Sequence, residues 1–531
     1  MTAPVRLAHA AALIAAITVL ARLAGFGRTV VYGHTVGGGC VGTVYTSANV
    51  IPNIVFDVVA GGTLSALVVP ILTPAFSAEG RATASRIVSA LLTWTLLVTL
   101  VLAGLIALLA GPLSHLLLGG QQCAGSLALA RRMLIVFAPQ VVFYGLGVVV
   151  GGVLQSAERF TWPALAPLLS SVAVIAAYSI YGALAADTDA VRTLSRADEL
   201  VLSVGTTLGV VVLALCQLPA AARLGLRIRP TLAFPPGLNP AVRQAALAGG
   251  ATLGAQQLAT AVMIRLANSG DQVGAAVIVA LAQTVYLLPW AVLAVPVATS
   301  VFPRLSSAWS AHDRPRVHQI VSRSTRMVTA AAAIGAAALI AASESIARLM
   351  LSPSGAPAHA SFGPAIAGFA LGLLGWSMVA LLARMLYAAR RVPVAAAAQV
   401  AGWICAIVAD FALCAVLPDS ARATGLALGN SIGVTVAAGL LAVAAIRVGV
   451  LAEPAAFAAA CGRSVLAAGI GALAGWGVSV ASEGSGVARS VWSGGLAAGT
   501  AVVAAVAVLV ALDRQLVTLG RAAMSRGAAT L

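Results

Sequence analysis

Apolar residues recur along this chain in long runs that short polar stretches interrupt. Their lengths match membrane helices, since a bilayer core requires about 20 consecutive apolar residues at 1.5 Å per residue. The pattern predicts fourteen spans near 9–33, 43–75, 86–110, 129–155, 161–186, 199–221, 241–267, 273–303, 324–343, 361–385, 393–417, 423–446, 464–482 and 490–512. No polar run is long enough to hold a soluble domain. The fold class expected is an all-α polytopic membrane protein.

Two of these spans are interrupted. The second carries Pro52 in SANVIPNIV, and the eighth carries Pro289 in QTVYLLPWAV. A proline inside a helix removes a backbone donor and bends it. Each span has a further proline near its inner end, in GGTLSALVVPIL and PVATSVFPRL, and six spans separate the two. Interrupted helices at matching places in two halves are the mark of a transporter built from repeats. The expected organisation is an N-terminal lobe over 1–230 (spans 1–6), a C-terminal lobe over 231–455 (spans 7–12), and two further spans with a short tail over 456–531.

Composition sharpens this picture. Hydrophobic residues make up 60% of the 531 positions and charged residues only 9%, against about 25% charged in soluble proteins. All 31 basic side chains are arginine, giving a net charge of +16. They are scattered over short loops without a basic domain or interleaved aromatics, so nucleic acid is not an expected partner. With the N-terminus inside, the inner loops hold clusters such as Arg223, Arg227, Arg229 and Arg243, and Arg384, Arg390 and Arg391. The outer loops hold fewer. This bias predicts a multi-pass membrane protein with both termini cytoplasmic. The six cysteines form no CxxC pair, so a zinc or redox motif is not expected. Cys40 and Cys123 fall in outer loops where a disulfide can form, and two unpaired small residues is the plainer reading.

Candidate chemistry lies in the charges inside apolar spans. A charge at the bilayer centre costs roughly 3 kcal/mol by insertion scales and usually faces a protein interior or a water-filled path. Arg22 and Arg28 lie about 9 Å apart along the first span and can line adjacent walls of a cavity. Arginine suits phosphate because its planar fork donates paired bonds. Arg265, near the outer end of the seventh span, is a third candidate for such a site, with snorkelling to the interface as its alternative. Asp57 can pair with Arg22 or Arg28, or take part in gating with the bends at Pro52 and Pro289. Asp410, buried in AIVADFAL without a basic neighbour in its helix, suggests with Asn430 a proton or cation site. The alternative is a hydrogen-bonded acid near the outer interface. Neither GxSxG, HExxH nor a Walker A sequence occurs, so the chain is not expected to be an enzyme or an ATP-driven pump. No cofactor is expected, and Na+, H+ or the membrane potential would supply the driving force.

The motifs ARLAGFGR, a glycine-rich turn, IPN, GGTLSALVVP and VATSVFPRLS together resemble the MurJ (MviN) family of lipid II flippases, within the multidrug/oligosaccharidyl-lipid/polysaccharide exporter superfamily. The resemblance implies about fourteen transmembrane helices, with two six-helix lobes in a V and two C-terminal helices forming a groove for a polyprenyl tail. It implies a cationic cavity for the pyrophosphate and sugars of lipid II, an undecaprenyl-linked precursor, and transport by alternating access that serves peptidoglycan synthesis. The bilayer and the cell-wall synthesis machinery are the partners it suggests. Arg22 and Arg28 match the family's first-helix arginines, Asn53 matches the asparagine of its LPN motif, and Asp410 falls where some members place a sodium-binding acid. Several family charges are missing: Phe56 stands in place of a basic residue, Thr43 in place of an acid, and Gln283, Thr284 and Leu287 where an Asp-Arg and a Glu are usual. Either Arg265 compensates or the substrate differs. The alternatives are a flippase for another polyprenyl-linked saccharide, an ion-coupled drug or metabolite antiporter of the same fold, and a scaffold without transport.

Overall fold

A computed structural model describes residues 3–58, 72–73, 76, 80–119, 123–185, 191–233, 240–351, 356–482 and 486–513. The described residues form helices and turns, with no strand among them. Eleven described helices are long and apolar enough to cross a membrane. Within the described residues, the predicted spans fall on single helices or on helical segments that follow one another closely. Most of the second span beyond Val58, with its GGTLSALVVP motif, lies outside the described residues.

The chain divides into two compact units, Met1–Val277 with Met350–Gly355, and Ile278–Leu349 with Ala356–Leu531. The first unit contains α1 (Ala3–Thr35), α2 (Cys40–Phe56), α3 (Gly80–Leu108), α4 (Ala110–Leu118), α5 (Ser126–Phe137), α6 (Gln140–Ser156), α7 (Thr161–Leu184), α8 (Arg196–Leu215), α9 (Leu218–Ala222) and α10 (Pro240–Ala267). The short α4 continues the third span and was not expected from hydropathy.

Buried hydroxyls tie this unit together. Tyr45 Oη lies 2.7 Å from Tyr178 Oη and 2.8 Å from Thr206 Oγ1, and Tyr32 Oη lies 2.6 Å from Thr46 Oγ1. Four helices, α1, α2, α7 and α8, thereby satisfy polar groups that an apolar interior would penalise. Cys40 and Cys123 are bonded to each other, with Cα atoms 5.9 Å apart. The expectation of two unpaired cysteines is corrected here. The loop before α2 and the loop before α5 meet at one end of the unit, which separation in sequence could not reveal.

By its contacts α10 groups with this first unit. The reason lies at its end, where Asn268 donates to Ser47 Oγ (2.8 Å) and to the Leu117 carbonyl (3.0 Å). Beyond it, the Gly274 N–H donates to Thr43 Oγ1 at 3.1 Å. Gly274 has φ +90°, and a Cβ there would run into the Gly38 carbonyl, so this turn requires glycine.

The second unit holds most of α11 (Ala275–Pro289), a π-helical turn (Trp290–Ala294), α12 (Val295–Ser310), all of α13 (Arg314–Met350) but its last residue, α14 (Ala356–Leu371), α15 (Leu373–Ala388), α16 (Val392–Val416), α17 (Arg422–Val448), α18 (Pro454–Ala481) and α19 (Val487–Leu512). The interruption expected at Pro289 is the π turn that directly follows it. The helix after Pro52 also passes into π geometry, at Asp57–Val58. Such turns re-aim side chains and occur often at functional sites.

Small residues set the packing of this unit. Gly402 and Ala406 on α16 face Ala437 and Gly433 on α17, and an added Cβ at Gly402 or Gly433 would come 2.8 Å from the other's carbonyl oxygen. Four-residue spacing of small side chains lets membrane helices approach closely and gain dispersion contacts. The last two helices use the same device: a Cβ at Gly471 would meet the Ala501 carbonyl at 2.7 Å and the Ala337 Cβ at 3.1 Å. α18 and α19 therefore seat against α13. At the end of α19, Asp513 is buried between Arg326 (3.4 Å) and Arg463 (3.2 Å).

Candidate functional site

α1 and α2 each present polar residues to the interior of the first unit. Tyr144 Oη on α6 donates to Asn53 Oδ1 at 3.0 Å. Gln257 Nε2 on α10 donates to Asp57 Oδ2 at 3.0 Å. The Arg28 guanidinium lies within electrostatic reach of the phenols of Tyr144 and Tyr178. Arg28, Asn53 and Asp57 thus belong to one polar strip contributed by α1, α2, α6, α7 and α10.

Pro52 is buried within α2. Its ring removes a backbone donor immediately before Asn53, the residue that meets Tyr144. Phe56, standing where the family resemblance placed a basic residue, packs on Tyr144 with ring centroids 4.3 Å apart. An aromatic contact there holds the phenol whose hydroxyl reaches Asn53. Thr43, standing in place of an acid, caps the turn at Gly274 instead of offering a charge.

One expectation changes. Asp57 bonds to Gln257, and no ion pair joins it to Arg22 or Arg28 among the described residues. Arg22 is exposed, while Arg28 is half-buried; no hydrogen bond or ion pair reaches either among the described residues. Arg265 sits at the end of α10 beside Gly119, where an added Cβ would lie 3.7 Å from its Nη2. It is placed against the α4 terminus, and no described contact brings it to Arg28 or Asn53. Tyr144, Tyr178 and Gln257 were missed. The signal for them was the need of Asn53 and Asp57 for partners, which a chain read one span at a time does not supply.

In the second unit, Asp410 is 2% exposed and Asn430 6%. The Oδ1 atoms of both are buried without a hydrogen-bond partner. Asp410 lies on the same face as Gly402 and Ala406, two and one helical turns away, so it continues the α16–α17 seam. Its Oδ1 rests directly against Gly429, where any Cβ would collide with it. Unpaired buried acceptors cost about 1–3 kcal/mol each, and two on adjoining helices suit a cation. No group of three His, Cys, Asp or Glu side chains suited to a metal occurs among the described residues.

The same unit contains a hollow of 440 Å³ walled by α13, α14, α15, α17 and α18. Leu371, Met378, Phe457 and Val465 are among its predominantly apolar lining. Of the two last helices only α18 lines it.

Comparison with known proteins decides what such an arrangement is. A family profile described as "Lipid II flippase MurJ" matches residues 33–494. The chain belongs to the MurJ family. A lipid II flippase MurJ of Burkholderia cenocepacia is 26% identical over 387 residues, covering 71% of this chain and 72% of that protein. A MurJ-named protein of Vibrio cholerae is 28% identical over 240 residues, and the alignment spans 43% of either chain; one of Synechocystis sp. is 30% identical over 237 residues and is also spanned over 43% of its length. Among solved structures, a MurJ lipid II flippase in an inward closed conformation superposes with a TM-score of 0.73 at 16% identity, covering 95% of this chain and 99% of that one. An inward-facing multidrug resistance transporter of the MATE family gives 0.60, at 16% identity over 83% of this chain and 95% of that one. These structural likenesses establish the fold.

Proposed function

We propose that this chain moves lipid II, or a closely related polyprenyl-pyrophosphate saccharide, across the inner membrane of a bacterium by alternating access. The observation that carries the reading is Arg28, half-buried and without a carboxylate partner among the described residues, within electrostatic reach of the Tyr144 that bonds Asn53. An unpaired guanidinium in an apolar setting is costly unless an anion visits it. Pyrophosphate offers paired oxygens that match its planar fork. Arg22, exposed on the same helix, would receive the anion first, and Arg265 would act outside this strip. A few bonds suffice, because the head group must also be released.

The apolar hollow against α18 suits part of a polyprenyl chain, so that the tail stays in a hydrocarbon setting while the head group crosses. The Asp410–Asn430 pair offers oxygen ligands for Na+ or a site for H+, and would couple transport to an ion gradient. The bond between Cys40 and Cys123 supports the topology read from the arginines. A disulfide places both loops at one membrane face, and such bonds persist in oxidising compartments.

The test is complementation. The resident lipid II flippase of a bacterium is depleted while this chain, or Arg28→Ala, is expressed at matched membrane levels. Rescue of growth by the wild type and failure of the variant are expected. Absence of rescue by a correctly inserted wild type would point instead to a drug or metabolite antiporter of the same fold.

A further inference from the structure

A second chamber, of 390 Å³, opens in the second unit between α12, α15 and α16. Its walls include Trp290, Phe302, Trp376, Tyr387, Arg384 and Gln399. Nothing in the polar strip of the first unit uses it.

Three features make this chamber unlike ordinary membrane packing. The first is its aromatic content. Trp290 and Trp376 have ring centroids 5.6 Å apart, and Trp376 meets Trp403 edge-on at 5.6 Å. Three of the eight tryptophans of the chain stand in one ladder. Among the described residues, no partner meets the buried indole N–H groups of Trp290 and Trp376, although buried tryptophan usually finds an acceptor.

The second feature is Arg384. It is half-buried, and no carboxylate pairs with it among the described residues. A snorkelling arginine near a helix end would extend outward past Ala388 to the interface. Arg384 instead turns back, its Nη1 donating to the Ala380 carbonyl at 2.7 Å, one turn further into the helix. That leaves most of its five donors free. Gln399 donates to the Ala395 carbonyl at 3.2 Å and keeps its acceptor oxygen.

The third feature is that no acid lines the chamber among the described residues. Its polar capacity is therefore nearly all donor, and its matching ligand is rich in acceptor oxygens. An aromatic face beside such donors suits a pyranose ring, which has an apolar C–H face and an equatorial rim of oxygens. Ligand pockets run from roughly 300 to 1,000 Å³, so a chamber at the low end has room for one ring.

We propose that this chamber is a saccharide subsite: a sugar ring of the lipid-linked head group lies against the faces of Trp290 and Trp376, with Arg384 and Gln399 bonding to its oxygens. This rests on the flippase reading above and adds to it the part of the substrate that the second unit recognises. It also gives the second unit a cation where Gln283, Thr284 and Leu287 leave none.

The experiment measures binding to the purified full chain in nanodiscs with two probes, lipid II and sugar-free undecaprenyl pyrophosphate. Wild type is expected to prefer lipid II about tenfold, the size of one hydrogen bond to a charged group. Arg384→Gln and Trp290→Leu should each remove that preference while leaving undecaprenyl pyrophosphate binding unchanged. Trp290→Tyr, which keeps an aromatic face, should restore most of it. Arg28→Ala should weaken both probes alike. A preference for lipid II over undecaprenyl pyrophosphate that survives Arg384→Gln and Trp290→Leu would overturn the subsite and leave the flippase reading standing. A wild type that binds neither probe would overturn both. Thermal midpoints matched to wild type exclude misfolding of a variant as the cause.

Discussion

The bond between Cys40 and Cys123 closes a loop across 83 residues of sequence and offers a quantitative test. In the chain-entropy treatment, closing a loop of that length restricts the unfolded state by about 4.5 kcal/mol at 25 °C. Inside the loop lie α2, α3 and α4, which remain helical in a detergent-denatured membrane protein and so leave fewer free segments to restrict. The expected contribution falls to about 2–4 kcal/mol. The perturbation is Cys40→Ser, alone and with Cys123→Ser. The assay is unfolding by SDS titration from mild micelles, followed by far-UV circular dichroism, with and without reductant. Oxidised wild type should unfold at a higher SDS fraction than either variant, and reductant should bring it to their level while leaving them unchanged. The other cysteines, Cys216, Cys405, Cys414 and Cys461, are free and provide an internal control for labelling. Identical midpoints for oxidised and reduced wild type would refute the reasoning. So would full maleimide labelling of Cys40 in the native protein before reduction.

Three further outcomes follow from the geometry. Tyr144→Phe removes the donor to Asn53 but keeps the stack on Phe56, so growth rescue should fall while thermal stability drops by no more than about 1 kcal/mol; unchanged rescue would separate Asn53 from the transport path. Gly429→Ala places a methyl against the Asp410 carboxylate and should cost about 1–3 kcal/mol of stability by overpacking, read as a lower thermal midpoint; an unchanged midpoint would contradict the close α16–α17 seam. Asp513→Ala leaves Arg326 and Arg463 without their shared carboxylate and should free the end of α19 to proteolysis, at a cost of about 1–3 kcal/mol; equal cleavage rates in variant and wild type would refute that latch.

Some of this site was legible in the residues themselves. Arg28, Asn53 and Asp57 are polar groups in apolar spans, and the cost of burying them marks them without any structure. The spacing of Gly402, Ala406 and Asp410, each four apart, already puts Asp410 on a small-residue face. The matching Gly429, Gly433 and Ala437 put Asn430 next to its partner face. Neither series by itself, however, says which helix it faces. The second proline-interrupted span was likewise visible, although its π turn was not, because a single extra backbone residue leaves no mark in hydropathy.

What the sequence by itself determined is the set of membrane helices, because apolar length against bilayer thickness is a local, one-dimensional constraint, and the family to which its motifs belong. What only the tertiary structure decided is partnership. Asp57 bonds to Gln257 and, among the described residues, to no arginine; Cys40 bonds to Cys123, and Trp290 gathers with Trp376, Arg384 and Gln399 around one chamber. Each of these pairs joins residues far apart in the chain through the packing of whole helices. Which faces meet depends on where small residues permit close approach, a choice made between helices and not within any one of them.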